Sequence, residues 1–125
     1  METALWTTQL LLAAIFLTTG LTKLSQPRMQ LAAGPMGWAA DVTDLEFRTV
    51  GLLEVLGALG LVLPGALGVA PLLTPLAAVG LATTMIGAIV THVRMGETDR
   101  LAVPLVILAL TLFVAIERFG AFSLS

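Results

Sequence analysis

The sequence predicts an all-α fold, an integral membrane four-helix bundle, and three observations carry that expectation. The chain is 58% hydrophobic and only 11% charged, with a mean hydropathy of +1.02, outside the range of water-soluble domains. Four apolar stretches, about residues 5–24, 44–63, 75–95 and 100–118, are each long enough to cross a bilayer as a helix. Gly, Pro and charged residues collect between them, where turns and headgroup contacts belong. Residues 1–125 then form a single transmembrane domain with no separate soluble unit. Composition also narrows the chemistry. The absence of Cys excludes disulfides, thiol chemistry and Cys-held iron–sulfur centres, and a net charge of −2 gives nucleic acid nothing to bind.

The first span ends in GLTKL. Glu2 is the only charged side chain before Lys23, so the basic start of a signal peptide is missing and a retained helix is expected. Gln9, Phe16 and Lys23 recur every seven residues, with Thr19 and Gly20 on the same side. This weakly polar stripe leads to a lysine that either snorkels to headgroups or joins a buried site. Residues 25–43 make the long connection. Pro27, Gly34, Pro35 and Gly37 argue against one continuous helix. Met29, Leu31, Met36 and Trp38 suggest a segment lying on the membrane or folding back as a lid, with Trp38 as an interfacial anchor.

The second span places a carboxylate where lipid should be. Thr43 followed by Glu46 is a capping-box start, and Pro64 is the expected stop. Glu54 lies about two turns inside, where facing lipid would cost at least ~2.5–3.5 kcal/mol, so it should face protein, a partner or water. At ~100° per residue, Phe47, Val50, Gly51, Gly57, Ala58 and Leu61 share its face. The small residues among them let another helix approach closely. Glu54 is then either a structural counter-charge or a functional group.

Residues 64–74 are turn-rich and uncharged, and Thr74-Pro75 reads as N-cap and first position of the third helix. Gly80, Thr84, Gly87 and Thr91 form a small-residue ridge expected to pack against a neighbouring helix. His92 sits about 100° away, on the face of Met85 and Ala88. The fourth span carries Pro104 early, and Glu117 and Arg118 at its end read as flanking charges at headgroup level.

Basic residues set the orientation. The 1–2 and 3–4 connections hold Lys23, Arg28, Arg48, Arg94 and Arg100, whereas the other side holds Arg118. The positive-inside rule places both termini outside the cytoplasm. Lys23, Glu54 and His92 then share the cytoplasmic half and can meet as a polar pocket under the loop of Trp38. Burial favours a protonated Glu, a nearby cation restores the carboxylate, and His titrates near neutrality, so the three are candidate catalytic residues for proton handling. Phe16, Trp38, Arg48 and Met85 are candidate substrate-binding residues, the apolar and aromatic ones as a wall. No spacing matches a metal-binding motif.

These stretches also carry a resemblance. GLTKL (20–24), RTVGLLEVLGALGLVLP (48–64), GLATTMIGAIVTHVRMGE (80–97) and the closing ERFG (117–120) resemble the DoxX-like family over nearly the whole chain. Gly20, Lys23, Gly51, Glu54, Gly57, His92, Arg94 and Glu97 match its recurring pattern. The resemblance implies a four-helix protein of the bacterial inner membrane. Its relatives include a small subunit of a thiosulfate:quinone oxidoreductase, partners in oxidative-stress membrane complexes, and animal proteins assisting receptor assembly or cargo export. A quinone is thus implied only by analogy; no other cofactor is expected. Three functions stay open: binding a hydrophobic, quinone-like molecule for a membrane redox or other enzyme; assembly with another membrane protein or a second copy; and small-molecule transport.

Overall fold

The computed structural model describes residues 1–34, 36–120 and 122–124; Pro35, one of the turn residues noted above, lies outside them. In chain order the helices are α1 (Glu2–Ser25), α2 (Arg28–Ala32), α3 (Asp44–Leu67), α4 (Leu73–Arg94) and α5 (Ala102–Phe119). Single 3-10 turns, Gly37–Asp41 and Thr98–Arg100, precede α3 and α5. Helices α1, α3 and α4, and α5 with its preceding turn, are long and apolar enough to cross a membrane. The chain is therefore an integral membrane protein with an all-α bundle. Each long helix packs chiefly on its neighbours in sequence, and a smaller α1–α5 contact closes the ring. Leu12, Phe16, Leu61, Leu81 and Val114 fill its centre. The outer faces carry large apolar side chains such as Leu45, Leu67 and Val103, each about two-thirds exposed or more, which lipid must cover.

Helix α3 starts at the capping box. Thr43 accepts from the Glu46 N–H, and the Glu46 carboxylate accepts from the Thr43 N–H, each at 3.1 Å. Its buried face comprises Phe47, Gly51, Glu54, Gly57, Ala58, Leu61 and Pro64, the stripe that periodicity outlines. Val50 is half-buried beside it.

In α3 and α4 the structure departs from the sequence expectation at three places. Pro64 does not stop α3, which runs on to Leu67 with Gly68 in the left-handed region at φ 68°. A proline inside a helix leaves the carbonyl four residues earlier without its N–H donor. That carbonyl belongs to Gly60, and the Thr74 hydroxyl donates to it at 2.9 Å. Thr74 is accordingly not an N-cap: α4 opens earlier, with Leu72 at that position and no side-chain cap. Thr74 bridges two helices instead. Finally, the small-residue ridge of α4 is not close-packed at its glycines: Gly80 and Gly87 are exposed, and a Cβ on either would meet nothing within 4 Å among the described residues, while Thr84 and Thr91 are half-buried.

The long connection is a folded unit. Leu31 from α2, Ala39 from the 3-10 turn and Phe47 from α3 make a second apolar cluster, with Met36, Trp38 and Val42 packed around it. The Arg28 guanidinium donates to the Ala39 carbonyl at 2.7 Å and ties the two short elements together.

Candidate functional site

Two glycines create the site. A Cβ on Gly20 would lie 2.7 Å from the Gly51 carbonyl, and one on Gly51 would lie 2.8 Å from the Lys23 Cβ. Only bare backbone permits this α1–α3 crossing. It brings together the polar side chains one turn along each helix. Lys23 Nζ stands 2.7 Å from Glu54 Oε1, with the side chains 7% and 4% exposed. The Thr19 hydroxyl donates to Glu54 Oε2 at 2.6 Å. A carboxylate at membrane depth thus has both oxygens engaged, one by a cation and one by a hydroxyl, which offsets its desolvation.

The pair opens on a cavity of about 350 Å³, the lower end of the size range of small-molecule sites. Trp38 and Val42 of the connecting loop cover one side, Glu46 and Val50 belong to α3, and α4 supplies Thr84, Met85, Gly87, Ala88, Thr91 and His92. The Trp38 ring stacks obliquely on Phe47, centroids 5.6 Å apart, and its own centroid lies 6.0 Å from Lys23 Nζ. His92 occupies the last turn of α4. Its Nδ1 lies 3.5 Å from Glu97 Oε1, and Arg100 Nε is 3.4 Å from the second oxygen of that carboxylate. The cavity therefore combines an ammonium, a carboxylate, an imidazole and an indole within walls of methyl and methylene groups. It can hydrogen-bond a polar ring and exchange protons with it. Among the described residues no group of three His, Asp or Glu side chains converges as a metal would need.

Of the residues singled out from sequence, Lys23, Trp38, Glu54, Met85 and His92 line this cavity. Phe16 and Arg48 do not. Phe16 is 1% exposed in the central core, in the same apolar cluster as Met85. Arg48 donates to the Lys23 carbonyl and lies 3.7 Å from Asp44, so it braces the end of α1. Sequence reasoning missed Thr19 as the second partner of Glu54, although its place on the polar stripe was visible. It also assigned Thr84, Gly87 and Thr91 to packing, whereas they form the α4 wall.

A second polar cluster lies at the opposite end of the bundle and corrects the reading of Arg118 as a flanking charge. Its side chain is 0% exposed. Arg118 Nη1 donates to both oxygens of Glu2, at 2.7 and 2.9 Å, and to the Phe122 carbonyl at 2.8 Å. Nε donates to Gln9 Oε1 at 2.8 Å, and the Gln9 amide donates onward to the Leu61 carbonyl at 2.6 Å. The guanidinium also lies over Trp6, 5.6 Å from the ring centroid. The apolar centre of the bundle separates this cluster from Glu54.

Comparison with known proteins agrees with this architecture. A family model described as the DoxX-like family matches residues 7–114, most of the chain. No curated protein and no solved structure matches.

Proposed function

The chain belongs to the DoxX-like family, and from that premise we propose that it binds a hydrophobic, quinone-like molecule in the cavity beside Glu54. One observation carries the reading: the buried Lys23–Glu54 pair is turned toward a cavity that His92 and Trp38 also line. A purely structural ion pair has no need of open space and a titratable imidazole next to it. The Lys23 ammonium and a His92 ring N–H are donors suited to ring carbonyl oxygens, the Glu54 carboxylate is a proton acceptor beside them, and Trp38 offers a face for stacking. The quinone-like class itself comes from family analogy. Without cysteine the chain would serve a partner enzyme that handles the electrons, binding the quinone and assisting its protonation. In this reading the cavity faces the cytoplasmic half of a bacterial inner membrane.

The test is equilibrium binding of a soluble benzoquinone to the protein in lipid nanodiscs. The wild type should bind saturably, and Glu54→Gln with Lys23→Met should lose at least about tenfold in affinity, ~1.4 kcal/mol. Equal affinity in the double variant would end the proposal.

An assembly role is the second reading, and the exposed Gly80 and Gly87 favour it, since small residues on a lipid-facing helix admit a neighbouring helix. Transport has less support, because Leu12, Phe16, Leu61 and Val114 pack between the two polar ends.

A further inference from the structure

We infer that the molecule held in the polar cavity is an amphiphile with a long hydrocarbon tail, and that its tail lies along the α3–α4 seam. The inference rests on the reading of the cavity as a headgroup site. The seam holds a groove of about 590 Å³, larger than the cavity. The two spaces adjoin: Thr84 lines both, and Leu53 of the groove is the neighbour of Glu54 of the cavity. From Thr84 to Leu73 the groove follows α4 away from the charged pair for ~16 Å, at about 1.5 Å per residue.

The chemistry of the groove suits a tail and no other part of a ligand. Its walls are leucine, alanine and glycine apart from Thr83 and Thr84. Those two hydroxyls donate to the Val79 and Gly80 carbonyls of their own helix, at 3.0 and 3.1 Å. A headgroup placed there would lack partners, whereas a chain loses none. Gly80 provides the width, for a Cβ on it would meet nothing within 4 Å among the described residues. Along the groove the helices stay close: a Cβ on Gly60 would stand 2.7 Å from the Ala77 Cβ. Trp38 and Val42 cover the cavity on the loop side, so the seam is the route by which a membrane-dissolved molecule enters head first or leaves tail last.

The experiment compares a tailless substituted benzoquinone with its decyl-chain homologue, in phosphatidylcholine nanodiscs. Affinities are expressed as mole fraction in the bilayer, so ordinary partitioning cancels. Lipid already solvates a free chain, hence the groove adds only packing, and the decyl homologue should bind ~3–10-fold tighter. Gly80→Leu has an unobstructed Cβ and places its side chain in the groove, so it should abolish that advantage while leaving the tailless probe's affinity unchanged. Equal binding of the two probes to the wild type would overturn the tail site and leave the headgroup reading standing. A tail preference that survives Gly80→Leu would also overturn it, as would a Gly80→Leu protein of altered oligomeric mass, which would mark the seam as a helix-docking face. Failure of both probes to bind would remove the headgroup reading and the tail site together.

Discussion

At the scale of single residues, two charge pairs, one buried on both sides and one on a single side, sit at opposite ends of the bundle and respond to substitution differently. Lys23 and Glu54 are both almost fully buried. Glu54→Gln strands an ammonium, and breaking a buried pair from one side costs ~3–5 kcal/mol. The double variant Lys23→Met with Glu54→Gln should recover much of that stability, since no charge is left unpaired. Ligand binding should not recover with it. Chemical unfolding in detergent and quinone titration on the same samples separate the two readouts; restored binding would make the pair a scaffold only. Arg118 and Glu2 are asymmetric, because Arg118 is fully buried and Glu2 is 55% exposed. Glu2→Gln leaves a buried guanidinium without its counter-charge, whereas Arg118→Met leaves a carboxylate that water can reach and a neutral Gln9 amide oxygen without its donor. Glu2→Gln should therefore destabilise more than Arg118→Met, and the reverse order in thermal melts would refute this account. The difference in legibility is physical. Glu54 stands out in sequence because an isolated carboxylate inside an apolar run has few bland explanations. Arg118 lies at a helix end, where a charge normally meets headgroups, and its partner lies 116 residues away in sequence. Only ring closure of α1 on α5 joins them.

At the scale of helices, the glycines divide into those that set crossings and those that leave space. A Cβ on Gly57 would lie 2.6 Å from Leu81 Cδ2, so Gly57→Leu must push α3 and α4 apart. Overpacking of this kind costs ~1–3 kcal/mol or more. A Cβ on Gly87 would meet nothing within 4 Å among the described residues, so Gly87→Leu should leave stability unchanged or raised, while its side chain fills part of the cavity and weakens ligand binding. Melting curves for the two variants, read beside a binding isotherm for Gly87→Leu, test the division. Thr74 and Thr84 offer a parallel contrast. Thr74→Val removes the donor to the Gly60 carbonyl that Pro64 leaves open, at a cost of ~1–3 kcal/mol. Thr84→Val loses only a bond to its own helix backbone and should be near neutral. Comparable losses from the two threonines would contradict the bridging role. Periodicity revealed the buried face of α3, since a single helix carries that information. It could not tell that the Gly80–Thr91 ridge of α4 borders open space and not a packed helix. An exposed membrane helix surface tolerates both small and large apolar residues, so composition does not mark the side that meets protein.

At the scale of the whole molecule, charge is distributed so that one end of the bundle can hold the cytoplasmic side. Lys23, Arg28, Arg48, Arg94 and Arg100 gather at the end where α1 and α4 finish and α3 and α5 begin. The other end has Arg118, which is buried and paired with Glu2, leaving that face without an unpaired Lys or Arg side chain among the described residues. The structure thus sharpens an asymmetry that counting alone left at five against one. The positive-inside rule then predicts that the 3-10 turn Thr98–Arg100 faces the cytoplasm and the α3–α4 turn faces out. The chain has no native cysteine, so single introduced thiols report position without background. Asp99 and Val69 are both exposed, one in each turn. In intact bacterial cells a membrane-impermeant maleimide should label Val69→Cys directly and Asp99→Cys only after the membrane is opened. That pattern would let Glu54 and His92 exchange protons with the cytoplasm through the end covered by Trp38. The opposite pattern would turn the bundle over, place the cavity in the outer half of the membrane, and require any redox partner to act from that side.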